Sequence, residues 1–205
     1  NADHYQGRQS AARRAGGAGK GEGFYAHGVG AGAEVTVTPG ATEAIFCAVH
    51  AVVRPGDEVI MFDPVYDCYD PAVRLAGGVP VHLILAAPAY RIDWQAVRSA
   101  ITPRTRMIMV NSPHNPSGSV LDEDDLEALL EIAEQHDLIV IADEVYEHLV
   151  FDGQPYWSVL RKPRLAARSY AIFSFGKTFH VTGWKTGYCV APPVLMTEFK
   201  RVHQF

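Results

Sequence analysis

A glycine-bearing stretch near the end of the chain holds the residues best suited to chemistry. Ser174, Lys177 and Lys185 lie here, between the apolar runs 170–173 and 188–191. Both runs are typical of buried strands, so we predict that the three polar side chains lie on a loop between two strands, where functional groups are common. Three chemistries can use such a set: a lysine that forms a Schiff base, a Ser-x-x-Lys acyl-enzyme, and a phosphate cradle.

The acyl-enzyme chemistry has the weakest support. A Lys-Thr-Gly tripeptide at 185–187 matches a second element of penicillin-recognising enzymes, but in those enzymes Ser-x-x-Lys opens a helix and Lys-Thr-Gly lies on a remote strand. No Ser-Asp-Asn element occurs here. The Walker A loop, the G-x-S-x-G elbow and the H-E-x-x-H zinc motif are absent as well. The sequence therefore favours the lysine and phosphate chemistries.

The elements that must position these residues alternate between strand and helix. Near-continuous apolar strands that alternate with helices predict an α/β fold with a parallel sheet covered on both faces. The predicted strands are 35–38, 58–62, 79–85, 107–110, 138–142, 170–173 and 188–191, and the clearest helices are 43–53, 94–101, 126–136 and 196–205. Ligands bind such sheets at the carboxyl ends of the strands. That rule selects the turns at 39–42, 63–69, 111–118, 143–146 and 174–185.

These turns carry further candidate residues, each of which also has a structural interpretation. The turn Gly40-Ala41-Thr42 opens a helix and can present free N–H groups to an anion. Asp143 ends an apolar strand, where it caps a helix or forms a buried carboxylate that needs a cationic partner. Tyr66 and Tyr69 are core aromatics or a stacking face for a planar ligand. Turn chemistry alone could explain Asn115.

Composition narrows the class of protein. The chain has 205 residues, of which 48% are apolar and 20% charged, and a net charge of −5. These values are ordinary for a globular domain and do not indicate a nucleic-acid or membrane partner. Cys47, Cys68 and Cys189 lack the spacing of a disulfide framework or a metal site, so we expect no bound metal and a reducing, cytoplasmic location.

We expect two regions and a polypeptide cut at both ends. Residues 1–33 are glycine-rich and are predicted to be a partial N-terminal or linker segment, poorly ordered or atypical. Residues 34–205 are predicted to form a single large domain. The last predicted helix continues to Phe205, so we expect this domain to be truncated at its C-terminal end.

Taken together, five segments resemble the class I/II aminotransferases of fold type I, and most of all their methionine and kynurenine/glutamine aminotransferase branch. The likeness runs from about residue 35 to residue 205. It implies a three-layer α-β-α large domain with a mostly parallel sheet, one antiparallel strand and the small domain missing. The segments are Pro39-Gly40-Ala41-Thr42-Glu43-Ala44, Asp63-Pro64-x-Tyr66-x-x-Tyr69, Asn111-x-Pro113-His114-Asn115-Pro116-Ser117-Gly118, Asp143-Glu144-Val145-Tyr146 and Ser174-Phe175-Gly176-Lys177-Thr178-Phe179.

The resemblance also implies a role for each candidate residue. Lys177 would hold pyridoxal 5′-phosphate as a Schiff base and act as the catalytic residue, and Asp143 would keep the ring nitrogen protonated. The remaining cofactor-binding residues divide by the part of the cofactor that they would contact. Tyr66 would stack on the ring, Asn115 and Tyr146 would bind its phenolic oxygen, Gly40, Ala41, Thr42, Ser174 and Lys185 would hold the phosphate, and Tyr5 would reach the phosphate of a partner subunit.

The implied function is transfer of an amino group from an L-amino acid to a 2-oxo acid in a cytoplasmic homodimer. Methionine, aromatic and glutamine-like amino acids are the expected donors. Two alternatives stay open: a lyase that uses the same cofactor on cysteine conjugates, and a non-catalytic protein or truncated cofactor-binding fragment. Arginine stands in many relatives where this chain has Lys185, which keeps the charge but loses bidentate geometry.

Overall fold

The computed structural model describes residues 32–205, which form a seven-stranded sheet with helices on both faces. Tyr5 and nearly all of the predicted N-terminal segment lie outside the described residues. The strands are β1 Val35–Thr38, β2 Glu58–Asp63, β3 Val79–Ile84, β4 Thr105–Asn111, β5 Ile139–Asp143, β6 Ser169–Ser174 and β7 Gly187–Val190. The helices are α1 Ala41–Val52, α2 Tyr69–Leu75, α3 Trp94–Ala100, α4 Glu123–Gln135, α5 Pro163–Ala166, α6 Phe175–Thr178 and α7 Pro193–His203, and two single 3₁₀ turns lie at Val159–Arg161 and Thr182–Trp184.

The strand order is β1-β7-β6-β5-β4-β2-β3. Strands β2 to β6 pair parallel to their neighbours, whereas β7 runs antiparallel to both β6 and β1. The mostly parallel sheet with one antiparallel strand is therefore confirmed. Because β7 is reversed, its first residue lies at the same edge of the sheet as the last residues of β1 and β4 to β6.

All strands except the edge strand β3 bury both of their faces, which explains the apolar runs in the sequence. Ile60 and Phe62 of β2 pack in one core with α3, α4 and α5. Val59 and Met61 of the same strand pack in the other core with α1, α2 and α7. Alternate side chains of a strand point to opposite faces, so this pattern produces the three-layer arrangement predicted from the sequence.

The helix starts follow local chemistry. Asp93 accepts hydrogen bonds from the N–H groups of Gln95 and Ala96 and caps α3, as predicted. Asp122 and Asp125 form a capping box at the start of α4, so the acidic run belongs to the first turn of that helix.

None of the helices within residues 32–205 has the length and apolar character of a membrane span.

Candidate active site

The turns at the carboxyl edge of the sheet enclose one cavity of about 630 Å³. All ten candidate residues that the structure describes line this cavity, whereas Tyr5 lies outside the described residues. The ten are Gly40, Ala41, Thr42, Tyr66, Asn115, Asp143, Tyr146, Ser174, Lys177 and Lys185. The ends of the strands thus bring together residues as far apart in the sequence as Gly40 and Lys185.

One end of the cavity is built for an anion. Gly40 has a φ of +90°, a conformation that side chains disfavour, and no side chain caps the start of α1. The first N–H groups of α1 are therefore available to a ligand. Lys185 adds a cation here, since a Cβ at Gly40 would lie 3.8 Å from the Lys185 side chain.

Gly187 allows this end to form. A Cβ on Gly187 would lie 2.8 Å from the backbone of Gly40, Ala41 and Phe173, a distance that real Cβ atoms do not show. The missing side chain lets β7 approach the start of α1 directly. The Lys-Thr-Gly tripeptide at 185–187 therefore has a structural explanation. Its glycine is required for the packing of β7 against α1, and no acyl-enzyme chemistry is needed to account for it.

The wall of the same cavity also contains a buried carboxylate. Asp143 is the last residue of β5 and is only 5% exposed. Tyr69 donates a hydrogen bond to its Oδ2 atom, and the Val145 N–H donates to Oδ1 at 3.3 Å. Burial raises the pKa of Asp143 to about 6, although these hydrogen bonds and the nearby charge of Lys177 oppose that rise. A cationic ligand would complete the environment of this carboxylate.

Lys177 supplies the amine of the site. It lies on α6, a single helical turn that directly follows β6, whereas the sequence analysis predicted an open loop. The Phe179 N–H closes the turn on the Phe175 oxygen, and Gly176 packs closely against Thr182, where a Cβ would lie 3.0 Å from the Thr182 Cα. The Lys177 Nζ atom lies 5.6 Å from the centre of the Tyr146 ring and faces the cavity.

The two candidate tyrosines have different positions. Tyr66 is 40% exposed and lines the cavity, whereas Tyr69 is 3% exposed and lies behind it. Their rings meet edge to face with centres 5.9 Å apart. His82 contacts Asp63 and Asp70 at 2.9 Å each and so fixes both ends of the turn that carries the pair.

Sequence reasoning did not select two residues that shape the site. Asn111 ends β4, donates a hydrogen bond to the Asp143 backbone oxygen at 2.9 Å, and accepts one from the Asn115 N–H at 2.8 Å. Tyr69 holds the Asp143 carboxylate. The signal for Asn111 was available, since it is the first polar residue after an apolar strand. Nothing in the sequence alone distinguished Tyr69 from Tyr66.

Comparisons with known proteins point to one family. Residues 8–205 match the family described as aminotransferase class I and II. Methionine aminotransferase of Escherichia coli strain K12 is 48% identical over 186 residues, which are 91% of this chain and 48% of that protein. Kynurenine–oxoglutarate transaminase 1 of Rattus norvegicus is 40% identical over 181 residues, 83% of this chain and 43% of that protein.

Solved structures point in the same direction. The structure of N-succinyldiaminopimelate aminotransferase from Mycobacterium tuberculosis superposes with a TM-score of 0.86 at 41% identity, covering 96% of this chain and 50% of that one. The chain thus spans about half the length of the curated relatives and structures that it matches.

Proposed function

This chain belongs to the class I and II aminotransferase family, and we propose that it binds pyridoxal 5′-phosphate and transfers an amino group from an L-amino acid to a 2-oxo acid. One observation carries the proposal. The amine of Lys177, the carboxylate of Asp143 and the free start of α1 all line a single cavity. These three features suit the aldehyde, the ring nitrogen and the phosphate of that cofactor.

The residues present fit the group. Asp143 is a carboxylate whose burial is only partly compensated by hydrogen bonds, and a protonated ring nitrogen would supply the missing cation. Gly40 leaves the start of α1 without a side-chain cap and so open to a phosphate. When bound, the cofactor supplies an electron sink for the electrons released when a proton leaves the substrate Cα.

Lys177 and Asp143 would then have distinct roles in the reaction. The Lys177 Nζ atom would hold the cofactor and, once substrate is bound, would carry the proton that leaves the substrate Cα. Asp143 stays ionised beside the ring nitrogen, and Tyr69 and the Val145 N–H hold its two oxygens.

The other lining residues orient the ring and hold its phosphate. Tyr66 would stack against the ring. Asn115 and Tyr146 would donate hydrogen bonds to its phenolic oxygen, and Asn111 fixes the backbone of Asn115 for this purpose. The N–H groups of α1 would bind the phosphate, together with the Ser174 hydroxyl and the Lys185 ammonium.

For the amino donor we propose methionine, an aromatic or a glutamine-like amino acid. The support comes from apolar side chains in the cavity lining, Ile45, Phe46 and Val145, which suit an apolar or long uncharged substrate better than an acidic one. The names of the methionine and kynurenine relatives agree with that range.

We also propose a cytoplasmic homodimer in which the partner subunit's tyrosine at position 5 reaches the phosphate. Three free thiols and the lack of a disulfide in residues 32–205 suit a reducing compartment. The exposed aromatics Phe46 and Tyr66 at the wall of the cavity give a second subunit an apolar surface to cover.

Chemical trapping tests the proposal. The full-length protein is loaded with the cofactor and reduced with borohydride, and peptides are mapped by mass spectrometry. We expect the label on Lys177, none in Lys177→Ala, and a turnover at least about 10⁴-fold lower in that variant. Lys185→Gln is the matched control, which should still label at Lys177 with weaker cofactor affinity. A label on Lys185 in the parent protein would refute the assignment.

Product analysis separates transfer from elimination. With methionine and a 2-oxo acid we expect a new amino acid and a keto acid in equal amounts. Release of ammonia and pyruvate from a cysteine conjugate, without amino-group transfer, would favour the lyase instead.

A further inference from the structure

A cluster of three side chains with metal-binding chemistry lies behind the cavity. Glu43 and Cys47 are one turn apart on α1, and His203 is the last residue of α7. A carboxylate oxygen, the thiol sulfur and a ring nitrogen of these residues all lie within 4.8 Å of one another. The His203 Nδ1 and Glu43 Oε1 atoms are 2.9 Å apart.

The cluster lies between two openings. Glu43 lines the main cavity, and His203 lines a second cavity of about 560 Å³ together with Trp184 and Lys185. Cys47 is buried, while Glu43 and His203 are each partly exposed. An ion can therefore reach the cluster from the second cavity without passing through the core.

We propose that Glu43, Cys47 and His203 form a binding site for one Zn²⁺-type divalent transition metal ion. Thiolate and imidazole ligands select such ions over Mg²⁺ and Ca²⁺, which prefer oxygen. Tetrahedral bonds of ordinary length place neighbouring ligand atoms about 3.4 Å apart, which the present spacing reaches with small side-chain movements. Three protein ligands leave one position for water.

The sequence analysis expected no metal because the ligands have no recognisable spacing. Glu43 and Cys47 have the i, i+4 spacing of a helical pair, but His203 follows 160 residues after Glu43. Only the packing of α7 against α1 brings the three together. The proposal rests on this geometry alone and does not depend on the proposed transfer reaction.

Binding has a defined proton balance. A cysteine thiol carries its proton near neutral pH, whereas the metal binds the thiolate. The ion forms a bond to sulfur as the S–H bond breaks, and the proton leaves to solvent. No electron is transferred. At least one proton is therefore released for each ion bound.

An ion pair alone is the competing interpretation. If Glu43 and His203 only bind each other, Cys47 plays no part and no ligand change at the thiol follows addition of metal. Binding to a surface histidine elsewhere would also leave the thiol untouched. The experiment must therefore detect a bond between the metal and the Cys47 sulfur.

Cobalt titration provides that report. The full-length protein is titrated with Co²⁺ and then Zn²⁺, with and without pyridoxal 5′-phosphate so that absorption by the cofactor can be subtracted. We expect one ion per chain, a thiolate-to-cobalt charge-transfer band that Zn²⁺ abolishes, and release of at least one proton. The band should be absent in Cys47→Ala and unchanged in Cys189→Ala, which removes an equally buried thiol.

Two further variants keep the test valid if Cys47→Ala folds poorly. Glu43→Gln preserves the hydrogen bond to His203 but removes the charge, and His203→Gln removes the nitrogen ligand. Each should raise the Kd for Zn²⁺ by more than about 10-fold, the least expected even for a group outside the ligand set. Cobalt binding without a charge-transfer band, a band that survives Cys47→Ala, or no binding at all would overturn the proposal.

Discussion

Two carboxylates at opposite edges of the sheet are equally buried and yet differ in their chemistry. Glu58 begins β2 and Asp143 ends β5, and each is 5% exposed. Glu58 accepts hydrogen bonds from the hydroxyls of Thr102 at 2.6 Å and Thr105 at 3.3 Å, and from the Arg104 guanidinium. The hydrogen bond from Thr102, with those from Arg104 and Thr105, lowers the pKa of Glu58.

Asp143 has no such set of donors. Burial raises its pKa to about 6, and a phenol and one backbone N–H oppose the rise only in part. Equal solvent exposure therefore does not distinguish a structural carboxylate from one that awaits a ligand. Asp143 lies deeper in the protein than Glu58 and has fewer donors facing it, and four variants test that distinction.

Of these four variants, Asp143→Asn should give the largest effect on turnover. The amide keeps the shape but cannot balance a cationic ring, so we expect turnover to fall about 10³-fold, or about 4 kcal/mol of barrier. The cofactor should still bind through its phosphate. In the cofactor-free protein at pH 8 the free energy of unfolding should rise by about 1 to 3 kcal/mol, because a charge is no longer buried. Steady-state kinetics and urea titration measure both, and unchanged turnover would reduce Asp143 to a helix-capping role.

Glu58→Gln should lower stability and leave turnover unchanged, the reverse of the result expected for Asp143→Asn. Loss of a charged acceptor for two hydroxyls and a guanidinium should lower the free energy of unfolding by about 2 kcal/mol at pH 7 and leave turnover unchanged. Because the pKa of Glu58 in the folded protein lies below its ordinary value of 4.5, the stability that its charge contributes is present above pH 4.5 and is lost as pH falls through the folded pKa. A fall in turnover without loss of stability would contradict this comparison.

Glu147→Gln tests a third carboxylate, on the turn after Asp143. Burial and then the charge of Glu144 raise the pKa of Glu147 from 4.5 to about 8. The folded protein binds the proton more tightly, so stability should fall as pH rises from 4.5 to 8 and stay low above that. The variant should flatten this slope and gain about 1 to 2 kcal/mol at pH 8.5. Urea midpoints at pH 5 and 8.5 measure the effect, and parallel pH profiles for parent and variant would count against it.

Tyr69→Phe should lower turnover much less than Asp143→Asn does. Removing its hydroxyl takes away a hydrogen bond that lowers the pKa of Asp143, so that pKa should rise further in the cofactor-free protein. We expect turnover to fall about 10-fold, equal to about 1.4 kcal/mol, with the acid limb of the pH–rate profile moved to higher pH. Tyr170→Phe, another buried phenol, is the control and should leave that limb in place. An unmoved acid limb in Tyr69→Phe would mean that Tyr69 only packs.

The sequence predicted the strand ends well because each one is a sharp change from apolar to polar residues. Asp143 follows five apolar residues and Ser174 follows four, so both positions were visible without coordinates. The helical turn at Phe175–Thr178 was not, because glycine disfavours helix and Gly176 therefore indicated a loop. Contacts between residues far apart in the sequence could not be predicted either.

The pairing of Tyr69 with Asp143 spans 74 residues, and that of His203 with Glu43 spans 160. Local propensity carries no information about contacts of this kind, which only tertiary packing creates. Residue types could therefore be selected from the sequence, but their partners could not.

The reversed direction of β7 has a consequence for how the protein can change. Since β6 ends and β7 begins at one edge, the connecting residues 175–186 leave and return on the same side and cross neither helical layer. Lys177 and Lys185 thus both lie on one continuous connection of 12 positions. Transplanting this connection from a relative would alter the reactive end while the scaffold beneath it remained intact.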